Sequence, residues 1–227
     1  MSINVMITHS TAVVKQKRKL RAKNVLSKLK KLFPTTGMML TYNNNWELMV
    51  AVQLSAQCTD KKVNEVTPAL FTRYPHFKDY LTANAKEFEQ LIYQTGFYRN
   101  KTRNILAAAK MLEERFHARL PMTMEEMLLL PGVARKTANV VLGNAYGLSF
   151  GIAVDTHVKR LSHVFGLTNA QDPVRIEWDL MEIFPKKEWF RVTYLFIEYG
   201  RVYCPARKHN HATCPLGHLF AETNNRP

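Results

Sequence analysis

Leu128-Leu129-Leu130-Pro131-Gly132-Val133-Ala134-Arg135-Lys136-Thr137-Ala138-Asn139-Val140-Val141 is the stretch that decides how this chain is read. Proline stops one helix, glycine permits a tight reversal, and a second helix starts at once. Backbone N–H groups at the start of that second helix point outward with partial positive charge and offer a seat for phosphate. Contacts to phosphate carry no sequence information, so Pro131, Gly132, Val133 and Arg135 are candidates for non-specific DNA binding. Lys136 falls in the first turn, among Val133, Ala138 and Val140. Desolvation and the helix dipole are both expected to favour its neutral amine, the form that acts as a nucleophile. The same lysine also suits a second phosphate contact beside Arg135, and Pro-Gly occurs in many helical hairpins.

One helix further on stands Ile152-Ala153-Val154-Asp155-Thr156-His157-Val158-Lys159-Arg160. Asp155 lies where an apolar run meets a new helix, the ordinary position of an N-cap. A capping carboxylate is fixed in orientation, and a fixed negative charge can also stabilise a cationic sugar as a base departs. The two roles are compatible.

The remaining chain reads as all-α. Helices are predicted at Lys15–Leu32, Trp46–Gln57, Lys61–Tyr74, Lys86–Tyr93, Arg99–Phe116, Met122–Leu130, Arg135–Ala145, Thr156–Phe165, Val174–Phe184 and Lys187–Tyr199. Pro34, Pro75, Gly96 and Pro121 punctuate them. Ile152–Val154 alone hints at a strand and is too short to count. After Arg201 the chain loses helical periodicity and becomes rich in His, Pro and Asn.

Charge narrows the partner. Lys and Arg number 32 against 18 Asp and Glu, a formal net charge of +14 over 227 residues, which favours polyanions and above all nucleic acid. The basic face of the first helix (Lys17, Arg18, Lys19, Arg21, Lys23, Lys28) suits either DNA or solvent. Three cysteines, Cys58, Cys204 and Cys214, argue against a disulfide framework and for a reducing compartment. No apolar run reaches the length of about 18 residues that suggests a membrane span, and Met1–Ala12 lacks a signal-peptide pattern. A cytoplasmic, bacterial-type protein is expected.

LPGVARKTANVV followed by AVDTHVKRL resembles the endonuclease III branch of the helix–hairpin–helix DNA glycosylases. LSAQCTD (Leu54–Asp60), GFYRNKTRNI (Gly96–Ile105) and EYGRVYCPARK (Glu198–Lys208) support the resemblance in the family's order and spacing, from about residue 15 to residue 215. It implies two helical domains flanking a DNA-binding cleft, into which a lesion is flipped from the duplex. One would be a six-helix domain at residues 38–148 that includes the hairpin. The other would combine residues 1–37 with 149–227 and carry the C-terminal loop. By the same resemblance Lys136 is the nucleophile that releases the base and forms a Schiff base leading to β-elimination, and Asp155 is the catalytic aspartate. Lysine at 136 argues against the adenine and thymine-mismatch branches, which lack it. Gln57 matches a residue inserted into the gap left by the flipped nucleotide, and Phe97 an apolar wedge on the opposite strand. On the residues alone, Gln57 reads as a buried helix-end amide and Phe97 as a core aromatic. His157, with Thr156, falls near the family's phosphate contacts and also suits capping of its own helix.

These features imply a bifunctional glycosylase and abasic-site lyase acting on oxidised pyrimidines in double-stranded DNA, monomeric as the family usually is. Two alternatives stay open: an enzyme with the lyase step alone, and a non-catalytic helix–hairpin–helix DNA-binding protein.

The chain departs from the family at its C-terminus. The spacing Cys-x6-Cys-x2-Cys-x5-Cys that holds a [4Fe–4S] cluster, counted from Cys204, falls on His211, Cys214 and Phe220. Phenylalanine cannot bind iron, so the cluster is expected to be absent. Cys204, His209 or His211, Cys214 and His218 offer nitrogen and sulfur donors, but their spacing matches no common zinc pattern, and zinc is not expected. Packing of Tyr203, Leu216, Leu219 and Phe220 would then have to hold the loop.

Overall fold

The computed structural model describes residues 2–221, so residue 1 and residues 222–227 of the second expected domain lie outside the described residues. Among the described residues ten α-helices follow one another: α1 (Ser2–Leu32), α2 (Asn45–Leu54), α3 (Asp60–Arg73), α4 (Ala85–Ile92), α5 (Tyr98–Phe116), α6 (Met124–Met127), α7 (Arg135–Tyr146), α8 (Thr156–Val164), α9 (Pro173–Ile183) and α10 (Trp189–Val202). Short 3-10 turns complete the secondary structure, and no strand occurs among the described residues.

Most helices begin and end within a residue or two of their sequence signals, because the caps are explicit. Asn44, Thr59, Asn84, Thr123, Asp155 and Asp172 each accept a first-turn backbone N–H through their side chains, the interaction that makes these residue types good N-caps. Four helices differ from expectation, α10 among them, which runs three residues past Tyr199 to Val202. α1 runs back to Ser2 because neither Gly nor Pro interrupts it. α2 stops at Leu54 rather than Gln57, since Gln57 takes a left-handed backbone, φ 54°. α6 is a single turn, and Leu129 and Leu130 tighten instead into i→i+3 bonds ahead of Pro131.

The chain divides into two compact units. One is the continuous segment Met38–Phe150. Its centre is α2, buried on every side through Leu48, Met49, Val50, Ala51 and Leu54. A helix apolar all round has to be enclosed by others. Val63 and Leu70 of α3, Phe88 and Ile92 of α4, Ile105 and Leu112 of α5, and Val141 and Leu142 of α7 enclose it. Each such side chain contributes about 1.5–3 kcal/mol by leaving water. Trp46, Tyr74, Tyr80 and Phe88 form an aromatic cluster at one end, with ring centroids 5.1–5.9 Å apart.

The other unit joins the chain up to Gly37 to the chain from Gly151 onward. Val25, Leu26 and Leu29 of α1 pack with Val158 and Leu161 of α8, Ile176 and Leu180 of α9, and Leu195, Phe196 and Tyr199 of α10. Cys204, Cys214, Leu216 and Phe220 of the C-terminal loop belong to the same core. The basic face of α1 is partly spent on its own unit. Arg21 donates to the carbonyls of Phe165 and Gly166 at 3.4 Å, and Lys28 Nζ lies 2.8 Å from His218 Nε2.

Candidate active site

Within the continuous unit the hairpin is fastened through its backbone. Val133 N–H donates to Leu130 O at 3.1 Å, and Gln53 Nε2 to Pro131 O at 3.2 Å. Gly132 has φ +76°, and a Cβ there would sit 2.9 Å from Asn104 Cβ and 3.0 Å from Gln53 Oε1. Only glycine satisfies both the left-handed backbone and that close approach. Leu130 and Val133 point into the core, while Gly132 is exposed. Ala134 caps α7 without a side-chain acceptor, so no N-cap side chain competes with an external anion at this end of the helix.

Lys136, the second residue of α7, is exposed. Its apolar neighbours turn away: Val133 and Ala138 are buried beneath the helix. The apolar enclosure expected from sequence is therefore not formed around the exposed side chain in the free protein. Helical periodicity puts Ala138 on the opposite side of α7 from the lysine, while Val140, one turn on, shares its face and is only half-buried.

Gln57 and Phe97 are both exposed, contrary to their readings as buried amide and core aromatic. Phe97 is 64% accessible, the most exposed large apolar residue among the described residues. Each adopts a left-handed backbone, φ 54° at Gln57 and 49° at Phe97. That conformation costs a non-glycine residue roughly 1–2 kcal/mol and clusters at working sites. Lys101 braces the two segments. Its buried ammonium donates to Leu54 O at 2.7 Å and Thr95 O at 2.8 Å, tying the end of α2 to the turn before Phe97. Sequence reasoning passed over this residue. Its signal was a lysine in helical register with Ile105, Ala108 and Leu112 on the buried face of α5.

In the discontinuous unit Asp155 is the N-cap of α8, and its Oδ1 accepts Val158 N–H at 2.8 Å. The extended segment before it is anchored by Thr193 Oγ1, which donates to Ala153 O at 3.2 Å. The carboxylate is thus half-buried and held in one orientation. His157 lies against α10, where the absence of a side chain at Gly200 makes room for its ring.

The C-terminal loop gathers four donors. Cys204 Sγ, Cys214 Sγ and one ring nitrogen each of His209 and His211 all lie within 4.8 Å of one another. His218 stands apart, beside Lys28. Burial and the neighbouring Cys204 thiol push the Cys214 thiol up to about 11. Burial also holds the His211 imidazole below its usual value. Phe220 is buried, its ring 5.3 Å from Phe165 and 5.2 Å from His211. A cubane cluster bound in the family's manner takes four thiolates. Two thiols, two imidazoles and a packed phenyl ring do not fit that group.

The chain matches the HhH-GPD superfamily of base excision DNA repair proteins over residues 50–186. It is 50% identical to endonuclease III of Synechocystis sp. across 202 residues, 89% of this chain and 92% of that one. It is 43% identical to endonuclease III of Bacillus subtilis over 88% of this chain and 92% of its relative. Two solved structures superpose with TM-scores of 0.85 at 42% identity, each covering 90% of this chain. One is a non-covalent endonuclease III–DNA complex, covered to 95%, and the other a trapped endonuclease III–DNA covalent intermediate, covered to 96%.

Proposed function

This chain belongs to the endonuclease III family of HhH-GPD base excision repair proteins, and on that premise we propose that it is a DNA glycosylase and abasic-site lyase for oxidised pyrimidines, with Lys136 as its nucleophile. The observation that carries the reading is an exposed lysine in the first turn of α7, directly after a backbone-fastened hairpin, in a family with a relative trapped covalently on DNA.

The neutral amine of Lys136 attacks C1′ of the damaged nucleotide, and the glycosidic C–N bond breaks, its electron pair leaving with the base. The ammonium adduct gives up a proton, the C1′–O4′ bond breaks with O4′ taking a proton, and the opened sugar is left as an iminium on Lys136. Loss of a proton from C2′ then expels the 3′ phosphate by β-elimination, and water hydrolyses the imine to return the lysine. Because the amine is exposed in the free protein, DNA itself would have to cover it and exclude water. Asp155 supplies a fixed negative charge to the cationic sugar, held by the cap that orients it. The left-handed turns carrying Gln57 and Phe97 suit insertion into the stack. A flipped nucleotide leaves a gap there, and stacking on an aromatic ring is worth about 1–3 kcal/mol. Pro131, Gly132, Val133 and Arg135 hold a phosphate, and His157, whose ring packs α8 on Gly200 of α10, lies beside that contact in the family's pattern. No step needs a redox change, so the chemistry runs without an iron–sulfur cluster, in the cytoplasm where the chromosome lies.

Borohydride reduction on duplexes bearing thymine glycol or a preformed abasic site tests this. A trapped protein–DNA adduct on both is expected. An adduct on the abasic site alone leaves a lyase without base excision, and none on either removes the proposal. Asp155→Asn, which keeps a good N-cap and removes the charge, should slow base release about 10²-fold with Tm unchanged.

A further inference from the structure

We propose that the C-terminal loop is a mononuclear tetrahedral zinc site, with Cys204, His209, His211 and Cys214 as its four ligands. This is independent of the reaction assigned to Lys136.

The donors already have the dimensions of such a site. Zn–S bonds of about 2.3 Å and Zn–N bonds of about 2.0–2.1 Å give a tetrahedron with edges of about 3.3–3.8 Å. Cys214 Sγ lies 3.3 Å from His209 Nε2, and Cys204 Sγ 3.9 Å from His211 Nδ1. The remaining pairs fall within the 4.8 Å limit that encloses all four atoms, so a small contraction of the loop closes the tetrahedron. Two thiolates and two neutral imidazoles balance a divalent charge and form a closed set of the kind structural zinc takes.

The groups behind the ligands fit this assignment. His209 Nδ1 lies 2.9 Å from Arg207 O. A proton donated there leaves the lone pair on Nε2, the atom that faces Cys214. Arg160 donates to Cys204 Sγ at 3.5 Å and to Cys204 O at 2.5 Å, which suits a thiolate. Phe220 occupies the position of the family's fourth cluster ligand, and there its ring backs His211. Both cysteines are buried and free. His209, His211 and Cys214 also border an open cavity of about 1380 Å³, which gives an ion a path in. Sequence spacing counted against zinc, yet the loop brings together in space what the intervals separate.

The full chain, purified without chelator under reducing conditions, should contain one zinc per molecule and no acid-labile sulfide. Cobalt exchange should give the red-region bands of tetrahedral Co2+ together with thiolate-to-metal charge transfer. His209→Gln and His211→Gln should each weaken zinc binding at least about tenfold. Neither His218→Ala nor Cys58→Ser should change it. His209 is only half-buried, so its variant keeps the test readable if cysteine variants fail to fold. A stoichiometric iron–sulfur chromophore, a Cys204–Cys214 disulfide in the intact mass, or a featureless cobalt titration of the reduced protein would each overturn the site.

Discussion

The hairpin at Leu130–Lys136 and the C-terminal loop at Cys204–Phe220 are both short reversals carrying little regular structure, and they are secured by opposite means. The hairpin is fixed by main-chain carbonyls, one amide side chain and a glycine too closely approached to bear a Cβ. The loop is fixed by side chains that meet one another: two thiols, two imidazoles, Arg160 and Phe220. A turn held through its backbone leaves its own side chains for a substrate, as at Lys136. A turn held through its side chains commits them to itself, so its contribution is to stability.

Four substitutions sharpen or break that contrast. Lys136→Gln should reduce trapping and strand cleavage by at least about 10³-fold, with no change in Tm because the side chain is exposed. A parallel loss of stability would show that the hairpin is not self-supporting. Phe220→Ala should cost about 3 kcal/mol in denaturant unfolding while the adduct yield per folded molecule holds. A selective loss of trapping there would tie the loop to chemistry. Gly132→Ala should cost about 2 kcal/mol through strain and the clash with Asn104, and should weaken binding to every duplex alike, as electrophoretic shifts would report. Phe97→Ala should leave stability within about 0.5 kcal/mol but reduce affinity for lesion duplex by about 1 kcal/mol. Equal loss on single-stranded DNA would argue against a wedge.

Legibility in the sequence followed the same division. The hairpin was readable because Pro131 and Gly132 state their backbone geometry locally, and the all-helical fold because caps and breakers mark most helix ends. Exposure at Lys136 and Gln57 was not readable. One depends on which face of α7 meets the core, and the other on a left-handed residue that ends α2 early. Lys101 escaped notice because a buried lysine is justified only by carbonyls distant in the chain, Leu54 among them. The ligand group was missed for a related reason. Zinc patterns are recognised by ligand intervals, whereas here the 3-10 turn at His211–Thr213 and the tight bend at Gly217 set the distances.

The discontinuous unit has a consequence for synthesis. Segment Met38–Phe150 holds its whole core within one stretch of chain and can close soon after it leaves the ribosome. The apolar stripe of α1, Val25, Leu26 and Leu29, emerges earlier, yet its partners on α8, α9 and α10 are translated last. Within this unit α1 is therefore made well before it is buried. Until then the lysines and arginines flanking that stripe work against its self-association.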